Sequence, residues 1–192
     1  MIAIIQYNAG NILSVYNAID RLGYNCIITN DHKKIKDADK VIFPGVGEAF
    51  SAMKYLRSNK LDKLIQNLEQ PVLGICLGMQ LMCNSSEEGP TQCLKIFPNN
   101  VVRFKNNDLV PHMGWNNFES ADTKLLKGIK ISDDLYYVHS YYVEVGDSTT
   151  AICNYQINFS SIIENNNFFG TQFHPEKSSL IGEKILRNFL LL

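Results

Sequence analysis

The sequence has no excess of charge of either sign and no long hydrophobic run. Its 18 Lys and Arg residues are balanced by 19 Asp and Glu residues, for a formal net charge of −1, and no basic stripe stands out. Nucleic acid and acidic membrane surfaces are therefore not expected as partners. No stretch approaches the roughly 18 apolar residues that a membrane span needs, and the apolar start, residues 1–7, is too short for a signal peptide. A cytoplasmic protein is expected.

The chain also lacks a Pro-, Gly- or Ser-rich linker and a block of like charge that would divide it. With 192 residues, of which 45% are hydrophobic, it is long enough to bury one substantial core. A single domain over residues 1–192 is predicted. The cysteines are odd in number and lack metal-ligand spacing, which indicates reduced thiols, no metal site and no cofactor. These five residues are Cys26, Cys76, Cys83, Cys93 and Cys153.

Short apolar segments alternate with helical patterns in the first part of the chain, which favours a parallel sheet. Strands are predicted at residues 2–7, 26–29, 41–43 and 71–75, and helices at 12–22, 49–56 and 61–68. Hairpin strands are predicted in the later part of the chain, at residues 101–104, 136–143, 151–153, 161–163 and 168–173. A last helix is predicted at residues 180–191. The expected fold is α/β, with a central, mostly parallel sheet, flanking helices and an added antiparallel section.

One cysteine lies between two glycines where an apolar run gives way to a helical pattern, in Gly74-Ile75-Cys76-Leu77-Gly78-Met79-Gln80. A nucleophile elbow needs glycine two residues before and after the nucleophile, because the tight turn leaves no room for a Cβ there. If Cys76 opens the helix, the positive helix end favours its thiolate, and the free N–H of Leu77 points to a developing oxyanion. Cys76 is the candidate nucleophile. A core cysteine beside helix-breaking glycines is the alternative.

A second candidate segment, Phe173-His174-Pro175-Glu176, lies near the C-terminus. Pro175 favours an extended conformation of His174, so the carboxylate of Glu176, two residues on, can reach back to the imidazole. The carboxylate would hold one ring nitrogen and leave the other free to take a proton from Cys76. Together the two motifs predict a Cys-His-Glu triad of Cys76, His174 and Glu176. A lone histidine is more often a surface or packed core residue.

With these two motifs, Gly-Ile-Cys-Leu-Gly-Met-Gln and Phe-His-Pro-Glu, the chain resembles the class I (triad) glutamine amidotransferases over nearly its whole length. Further segments resemble the glutaminase subunits of imidazole glycerol phosphate synthase. They are Pro44-Gly45-Val46-Gly47 with Phe50, His112-Met113-Gly114-Trp115-Asn116, Val138-His139-Ser140-Tyr141-Tyr142 and Lys177-Ser178. The resemblance implies a flavodoxin-like fold and hydrolysis of L-glutamine to glutamate and ammonia through a thioester on Cys76.

The loop Pro44-Gly45-Val46-Gly47 follows a predicted strand, as Cys76 does. Ligands of open α/β sheets bind at the carboxyl ends of the strands, so the loop and Cys76 are expected to face each other. A backbone N–H of this loop, at Val46, is then the second oxyanion donor beside that of Leu77. A phosphate-binding loop is a weak alternative, because Gly45 and Gly47 have no third glycine in register.

The resemblance further implies a glutamine pocket and a partner surface. It places Gly47, Gln80, His139, Ser140 and Tyr141 in the pocket, with the 139–141 segment binding the amino-acid head of glutamine largely through backbone groups. Taken alone, His139 is equally compatible with a packed strand histidine, and His112 and His32 are interpreted as non-catalytic. The implied partner is a cyclase subunit with a (β/α)₈ barrel, which forms a heterodimer with this chain, and the implied interface residues are Asn11, Trp115 and Lys177. Solvated loop residues are the alternative for these three.

Two departures from the family pattern concern the partner. The first strand commonly ends in an aspartate and here continues as Gln6-Tyr7-Asn8, and residues 93–99 replace a more glycine-rich segment. A paralogous subunit that supplies ammonia for amidation of a surface sugar is therefore an alternative function. Two functions of different classes are also compatible with the same fold. One is a non-catalytic interaction subunit, and the second is a cysteine hydrolase or peptidase that acts alone.

Overall fold

The computed structural model describes residues 1–105 and 109–192. Its helices are α1 (Ile12–Arg21), α2 (His32–Lys36), α3 (Ala49–Ser58), α4 (Leu61–Gln66), α5 (Leu77–Met82) and α6 (Ser179–Leu190). The first strands are β1 (Ile2–Ile5), β2 (Cys26–Thr29), β3 (Lys40–Phe43), β4 (Val72–Ile75), β5 (Ser85–Ser86), β6 (Thr91–Gln92) and β7 (Asn100–Arg103). The later strands are β8 (His112–Asn116), β9 (Ser120–Ala121), β10 (Leu135–His139), β11 (Tyr141–Val143), β12 (Thr149–Asn154), β13 (Asn158–Asn165) and β14 (Phe168–Thr171). None of the helices in these ranges has the length and apolar character needed to cross a membrane.

One half of the main sheet is parallel, in the strand order β2-β1-β3-β4-β14. The sheet continues from β14 through β13, β11 and β7 by antiparallel pairing. This arrangement confirms the predicted α/β fold with a mostly parallel centre and an antiparallel section. In such sheets the carboxyl ends of the parallel strands form the edge at which ligands bind.

Both faces of the parallel half are covered, which explains why its strands read as continuous apolar runs. Side chains of β1 alternate between the faces: Ala3 and Ile5 pack in the cluster that includes α3 and α4, and Ile2 and Ile4 pack in the cluster of α1 and α6. Full burial of one such isoleucine contributes roughly 1.5–3 kcal/mol relative to exposure. The two cores therefore fix the strand ends from which the candidate site is built.

The predicted strand at residues 136–143 is wrong as a single element. The structure divides it at Ser140 into β10, which pairs with β8 in a separate two-stranded sheet, and β11, which pairs with β7 and β13 in the main sheet. The chain changes sheets at this residue, and an alternating apolar pattern does not reveal such a change. Strand β8, the two-residue strands β5, β6 and β9, and the single-turn helix α2 were not predicted either. Other predicted elements are present, and their ends differ by up to three residues.

Candidate active site

Cys76 lies at the turn between β4 and α5, at the carboxyl edge of the parallel strands. Its backbone has φ 51° and ψ −105°, a strained conformation for a residue with a Cβ. Hydrogen bonds hold the turn on both sides, because the Cys76 N–H donates to Thr171 O at 2.7 Å and its carbonyl accepts from the Gln80 N–H at 3.1 Å. This geometry is that of a nucleophile elbow, which lifts the side chain out of the strand edge.

The two flanking glycines are required by close backbone packing. A Cβ on Gly78 would lie 1.8 Å from the carbonyl oxygen of Phe43, the last residue of β3. A Cβ on Gly74 would lie 2.8 Å from the backbone nitrogen of Met79. Helix α5 can therefore start directly against the neighbouring strand, which brings Cys76 close to the loop after β3.

His174 and Glu176 follow β14 and form a buried pair. Nδ1 of His174 lies 2.7 Å from Oε1 of Glu176, and the two side chains are 1% and 0% exposed. The Asn11 side-chain amide donates a hydrogen bond to the same carboxylate oxygen. The backbone N–H of His174 donates to the carbonyl of Tyr136 at 2.9 Å, which ties the segment to β10. Ring orientation is thus fixed from the carboxylate side.

The other ring nitrogen of His174, Nε2, is buried and has no hydrogen-bond partner among the residues that the structure describes. Burial by itself lowers the pKa of His174, but the negative charges of Cys76 and Glu176 more than offset burial and raise the pKa to about 10. At neutral pH the ring therefore carries a proton. An imidazolium in this position stabilises a thiolate and has a proton to give to a leaving group.

The loop after β3 faces Cys76, but its conformation differs from the expected oxyanion hole. The N–H of Leu77 is not free, because it donates a hydrogen bond to the carbonyl of Gly45 at 3.3 Å. The first N–H groups of a helix have no partner within the helix, and here a loop carbonyl occupies one of them. The expectation of a free Leu77 donor is therefore wrong for this conformation.

Two further contacts hold the carbonyls on either side of Gly45. The Tyr7 hydroxyl, which is buried, donates to the carbonyl of Pro44 at 2.6 Å, and the Gly10 N–H donates to the carbonyl of Val46 at 3.0 Å. Three successive carbonyls of the loop are thus engaged. Two of the three donors, Tyr7 and Gly10, lie in the segment after β1, and Asn11 follows directly.

A cavity of about 270 Å³ opens at Cys76. This volume is just below the roughly 300 Å³ at which pockets for drug-sized ligands begin, and it suits a small amino acid. Each residue expected to bind substrate lies in the cavity wall, namely Gly47, Gln80, His139, Ser140 and Tyr141. The oxyanion candidates Val46 and Leu77 also lie there. Cys76 is therefore the thiol that faces this cavity.

The model of the family "Glutamine amidotransferase class-I" matches residues 3–192 of the chain. The chain belongs to this family. Among curated relatives of this class-I amidotransferase, the imidazole glycerol phosphate synthase subunit HisH of Bacteroides thetaiotaomicron is 53% identical, over 98% of both proteins. The HisH subunit of Haemophilus influenzae is 48% identical, over 98% of this chain and 96% of the relative.

Solved structures show the same fold at lower identity. A glutamine amidotransferase from Thermotoga maritima superposes on this class-I amidotransferase with a TM-score of 0.69 at 17% identity, over 98% of this chain and 95% of the other. The glutaminase domain of CTPS from Trypanosoma brucei, solved with bound acivicin, gives a TM-score of 0.65 at 17% identity, over 97% and 91%. These two likenesses support the fold alone.

The three residues expected at a partner surface have different environments. Trp115 is 56% exposed, and its ring lies 5.9 Å from that of Tyr136. The ammonium of Lys177, which is also exposed, lies 6.0 Å from the same ring. Asn11 instead contacts Glu176 within the chain. Trp115 and Lys177 therefore flank Tyr136 on an exposed surface, directly beside the His174 segment.

Two residues of this site were missed by the sequence analysis. Glu88 lies in the cavity wall, where its carboxylate accepts the Ala49 N–H at 2.8 Å. Partial burial raises the pKa of Glu88, and the Ala49 hydrogen bond opposes this shift. Gln172 is fully buried, and its amide lies 3.7 Å from the Cys76 sulfur. The one available signal was a glutamine within the apolar run that leads to His174.

Proposed function

We propose that this chain is the glutaminase subunit of an imidazole glycerol phosphate synthase and hydrolyses L-glutamine to glutamate and ammonia for histidine biosynthesis. The observation that carries the proposal is the strained elbow of Cys76 beside the buried His174–Glu176 pair, at a cavity sized for an amino acid. Relatives named HisH at 53% and 48% identity over nearly the full chain support the histidine pathway over amidation of a sugar.

In the proposed reaction, the Cys76 thiolate adds to the side-chain carbonyl of glutamine. The tetrahedral oxyanion collapses to a thioester while the His174 imidazolium gives its proton to the departing ammonia. Neutral His174 then takes a proton from water, and the resulting hydroxide equivalent cleaves the thioester to glutamate and the Cys76 thiolate. Glu176 holds the ring through Nδ1 at 2.7 Å and stabilises its protonated form.

The oxyanion is bound by the N–H groups of Leu77 and Val46 only after the loop changes conformation. In the present conformation the Leu77 N–H donates its hydrogen bond to the carbonyl of Gly45 and is not available to an oxyanion. One oxyanion donor contributes roughly a hundred- to a thousandfold in rate, so low activity is expected until this hydrogen bond is released. A partner that docks on Asn11, Trp115 and Lys177 is suitably placed to release it, because the segment 7–11 contacts both Glu176 and the loop.

A second subunit is needed because free ammonia in neutral water is mostly ammonium, which is not nucleophilic. We assign the cyclase subunit, a (β/α)₈ barrel, as the heterodimer partner that receives ammonia through an enclosed route. The test is glutamate release by this chain alone, with the cyclase subunit, and with the cyclase subunit occupied by its nucleotide substrate. We expect a rise of about a hundredfold or more in the last case. Full activity of the isolated chain, or its turnover of peptides, would favour an independent hydrolase.

We assign the carboxylate of Glu88, in the cavity wall, as the group that binds the α-ammonium of glutamine. Glu88→Gln is expected to raise KM for glutamine about ten- to a hundredfold and to change kcat little, because a charged hydrogen bond contributes about 1.5–3 kcal/mol. Steady-state glutaminase kinetics of the activated complex measure both constants. Glu87→Gln is the matched control, since Glu87 is exposed and its carboxylate accepts the Arg103 N–H. An unchanged KM in Glu88→Gln would contradict the assignment.

A further inference from the structure

We propose that the side-chain amide of Gln172 is a further catalytic group, which donates an N–H hydrogen bond to the Cys76 sulfur and stabilises its thiolate. The inference rests on the proposed function, because it assigns a new residue to the same site. Nε2 of Gln172 lies 3.7 Å from Sγ of Cys76, and Gln172 is completely buried. In the thiol form, Cys76 can donate to the carbonyl of Val138 at 3.9 Å. The thiolate has no proton to donate there, so it needs a donor directed at it.

The direction of the Gln172 amide follows from its hydrogen-bond partners. The carbonyl of Tyr141 can only accept, and it lies 2.8 Å from Nε2 of Gln80. Gln80 therefore presents its NH₂ group on this side. The same NH₂ group lies 3.1 Å from Oε1 of Gln172. The oxygen of Gln172 is thus the end that accepts from Gln80, which leaves its NH₂ group facing Cys76.

Two histidines, His139 and His112, hold the Tyr141 carbonyl at the other end of this network, and their hydrogen bonds support the same amide orientation. Nδ1 of His139 lies 2.7 Å from the Tyr141 carbonyl, so His139 carries its proton on Nδ1. Nε2 of His139 then accepts from Nδ1 of His112 at 3.0 Å, and Nε2 of His112 accepts from the Asn116 amide at 3.3 Å. Every donor and acceptor in the row is matched, with one proton per histidine.

Burial keeps both histidines neutral at physiological pH. It lowers the pKa of His112 to about 4, and burial together with neighbouring His112 lowers the pKa of His139 to about 3. A positive charge on either ring would place two donors against each other. The neutral pair therefore holds the Tyr141 carbonyl, and through it Gln80, in one orientation. This leaves the Gln172 amide little freedom to rotate its oxygen toward the sulfur.

Two substitutions separate a donor role from simple packing. Gln172→Met keeps a similar side-chain length and removes the donor. Gln172→Glu keeps an oxygen for Gln80 and replaces the donor near Cys76 with a second oxygen. The control is Gln66→Met, because the Gln66 amide donates to the Leu94 carbonyl at 2.6 Å, away from the site. Thermal unfolding of each variant shows whether it is folded.

The main measurement is the rate of Cys76 alkylation by iodoacetamide against pH, with the modified peptide identified by mass spectrometry. This reagent reacts with thiolate. In both Gln172 variants we expect the midpoint of the profile to move about one pH unit upward, so that the rate at pH values well below the wild-type midpoint falls about tenfold. In the activated complex, kcat for glutamine should fall about tenfold or more, with KM changed little.

An unchanged alkylation profile in a folded Gln172 variant would overturn the proposal. If Gln172→Met does not fold, Gln172→Glu decides the question, and a wild-type profile in that variant would assign Gln172 to anchoring Gln80 alone. Alkylation does not depend on which amide the protein hydrolyses. A failure of this inference is therefore distinguishable from a failure of the proposed glutaminase function, which the activity of the complex tests.

Discussion

Cys76→Ser should reduce glutamine-dependent product formation by the complex about 10⁴-fold or more. A serine hydroxyl at this position is far less acidic than the thiol. Removal of the nucleophile from a catalytic triad lowers the rate by a factor of this order. The same complex should still make product from ammonium salts at high pH, because the cyclase site is unchanged. Product formation with glutamine and with ammonia, measured side by side, provides the check.

The matched control for this prediction is Cys83→Ala. Cys83 is also buried and lies at the end of the helix that Cys76 begins, but it is not in the cavity wall. We expect glutamine-dependent activity within a few-fold of wild type. A glutamine-mimicking electrophile should likewise label Cys76 and leave Cys83 unmodified. Equal product formation from glutamine by Cys76→Ser would instead identify the chain as a non-catalytic interaction subunit.

Much of this site could be predicted from the sequence because its constraints are local. The elbow around Cys76 is visible as two glycines at fixed spacing, and the structure shows what each of them makes room for. The pairing of His174 with Glu176 depends on one proline and a separation of two residues. The general rule that ligands bind at the carboxyl ends of parallel strands then brings both motifs to one edge of the sheet.

The remaining features depend on contacts between distant segments that leave no local pattern. The occupied N–H of Leu77 depends on which way the Gly45 peptide faces, and either orientation is compatible with the same sequence. The division of the predicted strand at Ser140 depends on the pairing of β8 with β10. Glu88 and Gln172 reach the cavity from separate elements, and neither has the spacing of a recognised motif. Such residues become interpretable only when their partners are known.

Gly78→Ala should lower the free energy of unfolding by about 3 kcal/mol, the upper part of the usual range for overpacking. The added methyl group would lie 1.8 Å from the carbonyl oxygen of Phe43, and this backbone atom has no rotamer by which to move away. Either α5 or the end of β3 must shift. For a chain of this size, the melting temperature should fall by roughly 6–12 °C, which thermal unfolding measures.

The shift should also affect activity, because α5 carries Leu77 and the end of β3 leads into the oxyanion loop. We therefore expect glutaminase activity of the complex to fall even at temperatures where Gly78→Ala is folded. Gly146→Ala is the control: its added methyl group would meet the side-chain amide of Asn99 at 2.9 Å, and turning this amide aside breaks its hydrogen bond to the Glu144 carbonyl, at a cost of about 1 kcal/mol. Equal stability losses in the two variants would show that the close approach of α5 to β3 is not what requires glycine after the nucleophile.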